Sequence, residues 1–168
     1  MCGDAIRTER LTLRSYEPAD AAALERFLQA NAERLRGLAV PWGLDREQET
    51  DGARYVQRVR MGWLLGSIMV FGIWPHGDAE IAGEILLFGN RDRRVEVGYY
   101  LAAPAEGRGF ASEAIRAVCA FAFERLEAER VIARCDSANA RSRRAAQRAG
   151  FAIESERDGI THFSLARP

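Results

Sequence analysis

The chain has 168 residues, of which 48% are hydrophobic and 29% charged, and its 24 basic side chains balance its 24 acidic ones. This length predicts a single domain over residues 1–168 that buries a core without disulfides, and zero net charge argues against nucleic acid or an anionic membrane as a partner. Every basic residue is an arginine, so Schiff-base chemistry and lysine-containing phosphate loops are excluded.

Cysteines and histidines are too few and too scattered for a structural zinc site. Cys2, Cys119 and Cys135 form no C-x-x-C pair, and His76 and His162 are the only histidines. We therefore expect no metal and a reducing compartment. The polar first residues and the lack of an apolar run of about 20 residues predict a cytoplasmic protein without a membrane span. Monomer and homodimer both stay open.

The first third of the chain predicts a strand followed by two helices. Leu11 and Leu13 alternate with polar residues, as in a strand, and the apolar spacing of "PADAAALERFLQANAERLRGL" predicts a helix from Pro18. A break at residues 39–43, "AVPWG", contains Trp42. After the break, "REQETDGARYVQRVRMGWLLG" predicts a second helix with its apolar residues on one side.

The rest of the chain alternates strands and helices. Three β-rich runs, "SIMVFGIWP", "EIAGEILLFGN" and "RVEVGYYLAA", predict an antiparallel meander. A long amphipathic helix follows from Gly109, then the strand "RVIARCDS", a helix that ends at Gly150, and two strands around "RDG". The order β-α-α-β-β-β-α-β-α-β-β predicts an α+β fold with about seven strands and four helices.

One glycine-rich turn joins the meander to the long helix, in "LAAPAEGRGFASEAIRAV". Gly107 and Gly109 can adopt positive φ, and the amides at a helix start bind anionic oxygens. The alternative is a tight turn without a ligand. A dinucleotide-binding fingerprint is disfavoured, because Ser112 stands at the third glycine position and the preceding strands form hairpins.

The same turn resembles the acyl-CoA pyrophosphate loop of the GCN5-related N-acetyltransferases, whose signature is Q/R-x-x-G-x-G/A. Residues 106–111, "EGRGFA", match it except that Glu106 replaces glutamine or arginine. The element order, "VEVGYYL" and "NARSRRAAQRAGF" also resemble this family. The segments "RLTLR", "VPW" and "EVGYYL" resemble the subgroup that acetylates ribosomal-protein N-termini.

The resemblance implies a three-layer fold with a mixed, mostly antiparallel sheet, and acetyl-CoA as cosubstrate. It assigns the pyrophosphate to the glycine-rich turn and the pantetheine arm to the backbone that precedes it. Asn139 would contact the cofactor arm, and it could equally act only as a helix N-cap. The implied cofactor-binding residues are Tyr100, Leu101, Ala102, Gly107, Arg108, Gly109, Phe110, Ala111, Ser112, Asn139 and Ser142.

The resemblance also implies catalytic residues. Glu96 stands where many relatives carry a glutamate that serves as general base, and Glu84 is a competing carboxylate. Many relatives place a tyrosine shortly after the serine of the N-x-x-S motif, but arginines and alanines follow here. Ser142 is therefore the predicted general acid. Trp42 and Glu84 are predicted to border the substrate pocket.

The resemblance therefore implies an acetyl-CoA-dependent N-acetyltransferase. Its acceptor would be a primary amine, on a protein N-terminus or a small molecule, and transfer would be direct within a ternary complex. A non-catalytic acyl-CoA-binding or regulatory module on the same scaffold is the alternative, because the carboxylate of Glu106 is unusual beside a pyrophosphate.

Overall fold

A computed structural model of the chain describes residues 5–36 and 50–168. Its strands are β1 (Ile6–Arg7), β2 (Leu11–Arg14), β3 (Ile68–Pro75), β4 (Gly83–Arg91), β5 (Arg94–Leu101), β6 (Arg130–Asp136), β7 (Ala152–Arg157) and β8 (Ile160–Ala166). Its α-helices are α1 (Ala21–Ala30), α2 (Ala32–Arg36), α3 (Gly52–Leu65), α4 (Phe110–Arg125) and α5 (Ala140–Arg148). No described helix is long and apolar enough to cross a bilayer.

The prediction of an α+β fold is confirmed, whereas the predicted element count was too low. The two-residue strand β1 pairs with β2 and is too short for a periodic pattern to reveal. The first predicted helix is divided at Asn31, whose side chain donates to the carbonyl of Phe27 at 2.8 Å. Within the second predicted helical segment, α3 starts at Gly52, where the carboxylate of Asp51 caps the amides of Ala53 and Arg54; residues 46–49 of that segment lie outside the described residues.

The strands form one sheet in the order β1-β2-β3-β4-β5-β6-β8-β7. Neighbours pair antiparallel except β5 and β6, which pair parallel. Their pairing covers only Arg94–Glu96 against Arg130–Ile132, although both strands continue beyond it. The two strands therefore separate after Glu96. Beyond this residue, the edge of β5 that faces β6 has no strand partner.

Apolar clusters cover both faces of the sheet. One cluster combines α4 and α5 side chains with sheet residues such as Val97 and Phe163. The other combines α1 and α3 with residues such as Val70 and Tyr100. Within β5, Val97 and Tyr99 thus face α4, while Tyr100 faces α1 and α3. Successive β5 side chains thus lie on opposite faces of the sheet, which has helices on both sides and gives the fold three layers.

Candidate functional site

A cleft of about 1080 Å³ opens where β5 ends and α4 begins. Its walls come from α2, the end of β5, the glycine-rich turn and α5. The lining residues that the sequence analysis had selected are Tyr100, Leu101, Gly107, Arg108, Gly109, Ala111, Asn139 and Ser142. Parts of the chain that are far apart in sequence thus meet in one cavity that is large enough for a nucleotide-sized ligand.

The glycine-rich turn has the backbone geometry that its sequence predicts. Gly107 and Gly109 have φ values of 75° and 81°, in the left-handed region that glycine adopts without strain. Gly109 is the N-cap of α4 and carries no side chain that could cap the first amides. The amides of the first turn of α4 therefore stay available to an anion, and the helix dipole adds to the attraction.

A cluster of polar contacts anchors the turn and the start of α4 to the segment before β2. Glu113, in the first turn of α4, accepts hydrogen bonds from Thr8 Oγ1 at 2.6 Å, from the Arg10 amide at 2.9 Å and from Arg10 Nε at 2.7 Å. Arg10 Nη1 also donates to the carbonyl of Arg108 at 2.8 Å. The backbone of the turn is therefore held by a side chain from the segment that joins β1 to β2.

The pKa of Glu113 is lower than usual despite its burial. Burial opposes ionisation of this carboxyl, but the hydrogen bonds from Thr8 and Arg10 and the charge of Arg10 outweigh that effect. Glu113 is therefore ionised in the folded protein at neutral pH.

Arginines dominate the charge of the cleft. Arg34, Arg108, Arg141, Arg144 and Arg148 line it, and Glu106 is the one acidic residue among its described lining. The carboxylate of Glu106 accepts from Arg34 on one oxygen and from Arg141 on the other. The cleft thus carries excess positive charge, as an anionic ligand requires.

The predicted acid Ser142 has a tyrosine partner. Tyr99 Oη donates to Ser142 Oγ at 3.1 Å, and both residues line the cleft. Burial raises the pKa of Tyr99, so its hydroxyl stays protonated at neutral pH. Asn139 caps α5 through its side-chain oxygen, which accepts from the Ser142 amide at 3.1 Å. The N-cap role of Asn139 is thereby confirmed, and the cap orients the residue that bears the hydroxyl.

The predicted base Glu96 lies at the point where β5 and β6 part. Both of its carboxylate oxygens accept from Arg134 of β6, at 2.8 Å from Nε and 3.0 Å from Nη2. The side chain of Glu96 is 14% exposed. Because a carboxylate oxygen has two lone pairs, each oxygen retains one that can accept a further hydrogen bond.

Glu84 lies in a different environment. Its side chain is fully buried and accepts hydrogen bonds from Tyr16 Oη at 2.7 Å, from Tyr55 Oη at 2.8 Å and from Tyr100 Oη. Burial, together with the charge of Glu84, raises the pKa of Tyr16 well above its usual value. Glu84 thus joins β4 to its neighbours within the core, and a substrate amine does not reach it in this conformation.

The other selected residues lie at the margins of the cleft or elsewhere. Phe110 and Ser112 are buried, and neither is among the described residues that line the cleft. Ala102 donates its amide to Ala82 at 2.9 Å, on the side of the chain that faces β4. Trp42 lies outside the described residues.

Comparison with protein families decides the classification. The model of the acetyltransferase (GNAT) domain matches residues 10–152, which span the glycine-rich turn, β5, β6 and α5. The chain belongs to the GNAT acetyltransferases. The resemblance seen in the sequence is thereby confirmed.

Several relatives of this GNAT acetyltransferase have names that refer to ribosomal proteins. YdaF of Bacillus subtilis (strain 168), named provisionally as a ribosomal N-acetyltransferase, is 32% identical over 90% of this chain and 84% of its own length. Two solved structures share the fold. The ribosomal L7/L12 α-N-protein acetyltransferase RimL, in complex with coenzyme A, is 21% identical with a TM-score of 0.80, and the match covers 97% of this chain and 98% of that one. RimJ of Mycobacterium smegmatis is 22% identical with a TM-score of 0.78, covering 93% and 81%.

Sequence reasoning missed three residues of this GNAT site. Arg34 lies in a segment with no motif, and Arg10, although it begins the segment "RLTLR", was given no role; only the folded chain brings Arg10 to the turn and Arg34 to Glu106. A signal for Tyr99 was present: the strand alternation puts it on the α4 face, and no tyrosine follows Ser142 in α5. The need for a second hydroxyl near Ser142 could therefore have selected Tyr99.

Proposed function

We propose that this GNAT acetyltransferase transfers the acetyl group of acetyl-CoA directly to the α-amine of a protein N-terminus. The observation that carries the proposal is the position of the uncapped start of α4. It opens into an arginine-lined cleft at the end of β5, the strand whose edge beyond Glu96 has no strand partner. Acetyl-CoA supplies an acetyl thioester on an arm that ends in phosphates.

The chain offers a complementary group for each part of that ligand. The amides that follow Gly109 and the guanidinium groups of Arg108 and Arg144 suit the diphosphate. The edge of β5 beyond Glu96 lacks a strand partner, so its backbone can hydrogen-bond an extended amide-bearing arm as another strand would. The residues that are present therefore fit the group.

The two faces of β5 separate the two proton transfers. Glu96 lies on the face of Tyr100, and Tyr99 lies on the opposite face beside Ser142. A group held in the gap between β5 and β6 would have Glu96 on one side and Ser142 on the other. Glu96 then takes the proton from the acceptor amine, directly or through water, and Ser142 Oγ–H donates toward the departing sulfur.

Tyr99 is a positioning residue in this scheme. Because its hydroxyl donates to Ser142 Oγ, the serine proton is not used in that hydrogen bond and can point toward the sulfur. Glu84 is assigned a structural role, since it is buried and accepts three tyrosine hydroxyls.

Direct transfer is favoured over an acetyl-cysteine intermediate. Cys135 lies near Tyr99 and Ser142, in the lining of a small cavity between the parted strands. Burial raises the pKa of its thiol, and the charges of Asp136 and Glu156 add to this against the opposing effect of Arg143. A thiol that stays protonated is a poor nucleophile.

The acceptor is inferred from the named relatives. YdaF matches most of this chain at 32% identity and is named for ribosomal acetylation. RimL, which shares the fold, is named for a ribosomal protein α-amine. These names support a protein N-terminus over a small-molecule amine as the acceptor of this chain.

Calorimetry tests the assigned loop. Gly109→Trp should abolish coenzyme A binding, because a Cβ at Gly109 lies 3.2 Å from Arg10 Nη2 and the indole would cover the amides. Gly66→Trp is the matched control. Gly66 also has positive φ, lies in open space and caps α3 away from the cleft lining, so this variant should bind coenzyme A as the native protein does. Unchanged binding in Gly109→Trp would refute the loop assignment.

A further inference from the structure

Glu106 is the position where the glycine-rich turn departs from the family signature, and it joins two walls of the cleft. Arg34 on α2 and Arg141 on α5 each contact one oxygen of its carboxylate. The side chain of Glu106 is 25% exposed, whereas those of Arg34 and Arg141 are 45% and 75% exposed. The carboxylate is therefore the least exposed member of the group, with a guanidinium on either side.

Both arginines are groups that an anionic ligand in the cleft would use. Arg34 and Arg141 line the same cavity as Gly107 and Gly109. Arg34 Nη2 also lies 3.5 Å from the carbonyl oxygen of Leu101, at the end of the β5 edge that the pantetheine arm would occupy. These cationic groups thus already have an anionic partner from the chain itself.

We infer that Glu106 is an internal competitor which the diphosphate of coenzyme A displaces from Arg34 and Arg141. This inference rests on the proposed function, since it concerns the same cofactor site. A diphosphate at the start of α4 and the carboxylate of Glu106 repel each other at close range. Binding therefore exchanges one anion for another between the two guanidinium groups.

The exchange has two consequences. Glu106 lowers the affinity for coenzyme A below the value that the arginines alone would give. It also keeps Arg34 and Arg141 oriented toward the cleft before coenzyme A binds, so that binding does not have to order these two side chains. Highly charged ligands can displace the carboxylate, while weakly charged thioesters leave the contacts of Glu106 intact.

Coenzyme A binding by calorimetry at low ionic strength tests the inference. Glu106→Gln retains the size of the side chain and removes its charge, and we expect it to bind coenzyme A about five- to tenfold more tightly than the native protein. Glu129→Gln is the matched control, because Glu129 also pairs with an arginine, Arg93, on an exposed surface outside the cleft lining. It should leave the affinity unchanged. Equal or weaker binding by Glu106→Gln would overturn the inference.

A double-mutant cycle separates competition from a purely structural role. Arg141→Gln should reduce coenzyme A affinity severalfold more in the Glu106→Gln background than in the native background. The reason is that Arg141 has to leave the carboxylate of Glu106 before it can bind the diphosphate in the native background, and it has no such carboxylate to leave in the Glu106→Gln background. An equal loss of coenzyme A affinity on Arg141→Gln in both backgrounds would contradict the proposed exchange of anions. If the native protein bound no coenzyme A, the proposed function itself would be contradicted. If the native protein bound coenzyme A and the Glu106 and Arg141 variants did not differ from it as expected, only the inference about Glu106 would be contradicted.

Discussion

The anchor formed by Glu113 allows the sharpest test of how the fold supports the site. Glu113→Gln keeps an oxygen where Oε1 accepts from Thr8 Oγ1 and from the Arg10 amide. It replaces Oε2, which accepts from Arg10 Nε at 2.7 Å and lies 2.6 Å from Arg10 Nη2, by an amide nitrogen that cannot accept. The substitution thus removes one ion pair and little else.

The cost follows from the burial of the two partners. The side chain of Glu113 is 10% exposed and that of Arg10 is 46% exposed, so the pair lies between a surface pair and a buried one. Hydrogen bonds to charged groups contribute about 1.5–3 kcal/mol, and exposed ion pairs contribute roughly 0.2–1 kcal/mol. We expect a loss of about 2 kcal/mol at pH 7, or a decrease in Tm of about 4–8 °C for a chain of this size.

Urea unfolding across a range of pH measures this loss. The pKa of Glu113 is lower in the folded protein than its usual value, so its contribution is complete above the unfolded pKa of about 4.3 and is lost as the pH falls through the folded pKa. The difference between native protein and Glu113→Gln should therefore be largest at pH 7 and shrink below about pH 4.3. Coenzyme A affinity should also fall, because Arg10 holds the carbonyl of Arg108.

Two results would refute this reasoning. A difference in unfolding free energy below about 0.5 kcal/mol at pH 7 would show that the pair of Glu113 and Arg10 stabilises the fold no more than an exposed ion pair does. A difference that stayed constant as the pH fell would show that the charge of Glu113 is not its source. Glu129→Gln removes an exposed pair with Arg93 and should change the unfolding free energy by less than about 0.5 kcal/mol.

Two further predictions concern the proton transfers. Tyr99→Phe should lower kcat about tenfold with little change in the KM for acetyl-CoA, because it removes a hydrogen bond that orients Ser142. Steady-state kinetics measure the two constants. An increase in KM without a decrease in kcat would contradict the positioning role of Tyr99. Glu96→Gln should lower kcat about a hundredfold or more while coenzyme A still binds, whereas Glu84→Gln should lower Tm and retain most of kcat, since Glu84 is buried. A large loss of kcat in Glu84→Gln and a small loss in Glu96→Gln would instead indicate that Glu84 is the general base.

Local patterns predicted most of the fold because they depend on neighbouring residues. Apolar spacing located the long helix α4, and the two glycines at 107 and 109 have the positive φ that their turn requires. The division of the first helix was not predictable in this way. Asn31 is buried and its side chain donates to a helix carbonyl, which depends on tertiary packing as much as on sequence.

The chemistry of the site was predictable only in part, because its contacts join distant segments. The resemblance selected Ser142 and Glu96, but it could not show that Tyr99 contacts the one and Arg134 the other. Glu84 was selected as a carboxylate near the site, yet three tyrosines from distant parts of the chain donate hydrogen bonds to it in the core. The departure at Glu106 was visible in the sequence, whereas its two arginine partners were not.

Acetylation of a protein N-terminus tests the central claim most directly. The native chain would be incubated with acetyl-CoA and with peptides that carry the N-terminal sequences of ribosomal proteins, and the products would be sequenced by mass spectrometry. We predict one acetyl group on the α-amine of at least one peptide, formed only when acetyl-CoA is present. Tight binding of acetyl-CoA with no acetylated amine, on peptides or on a panel of small-molecule amines, would contradict the claim and indicate a non-catalytic acyl-CoA-binding module.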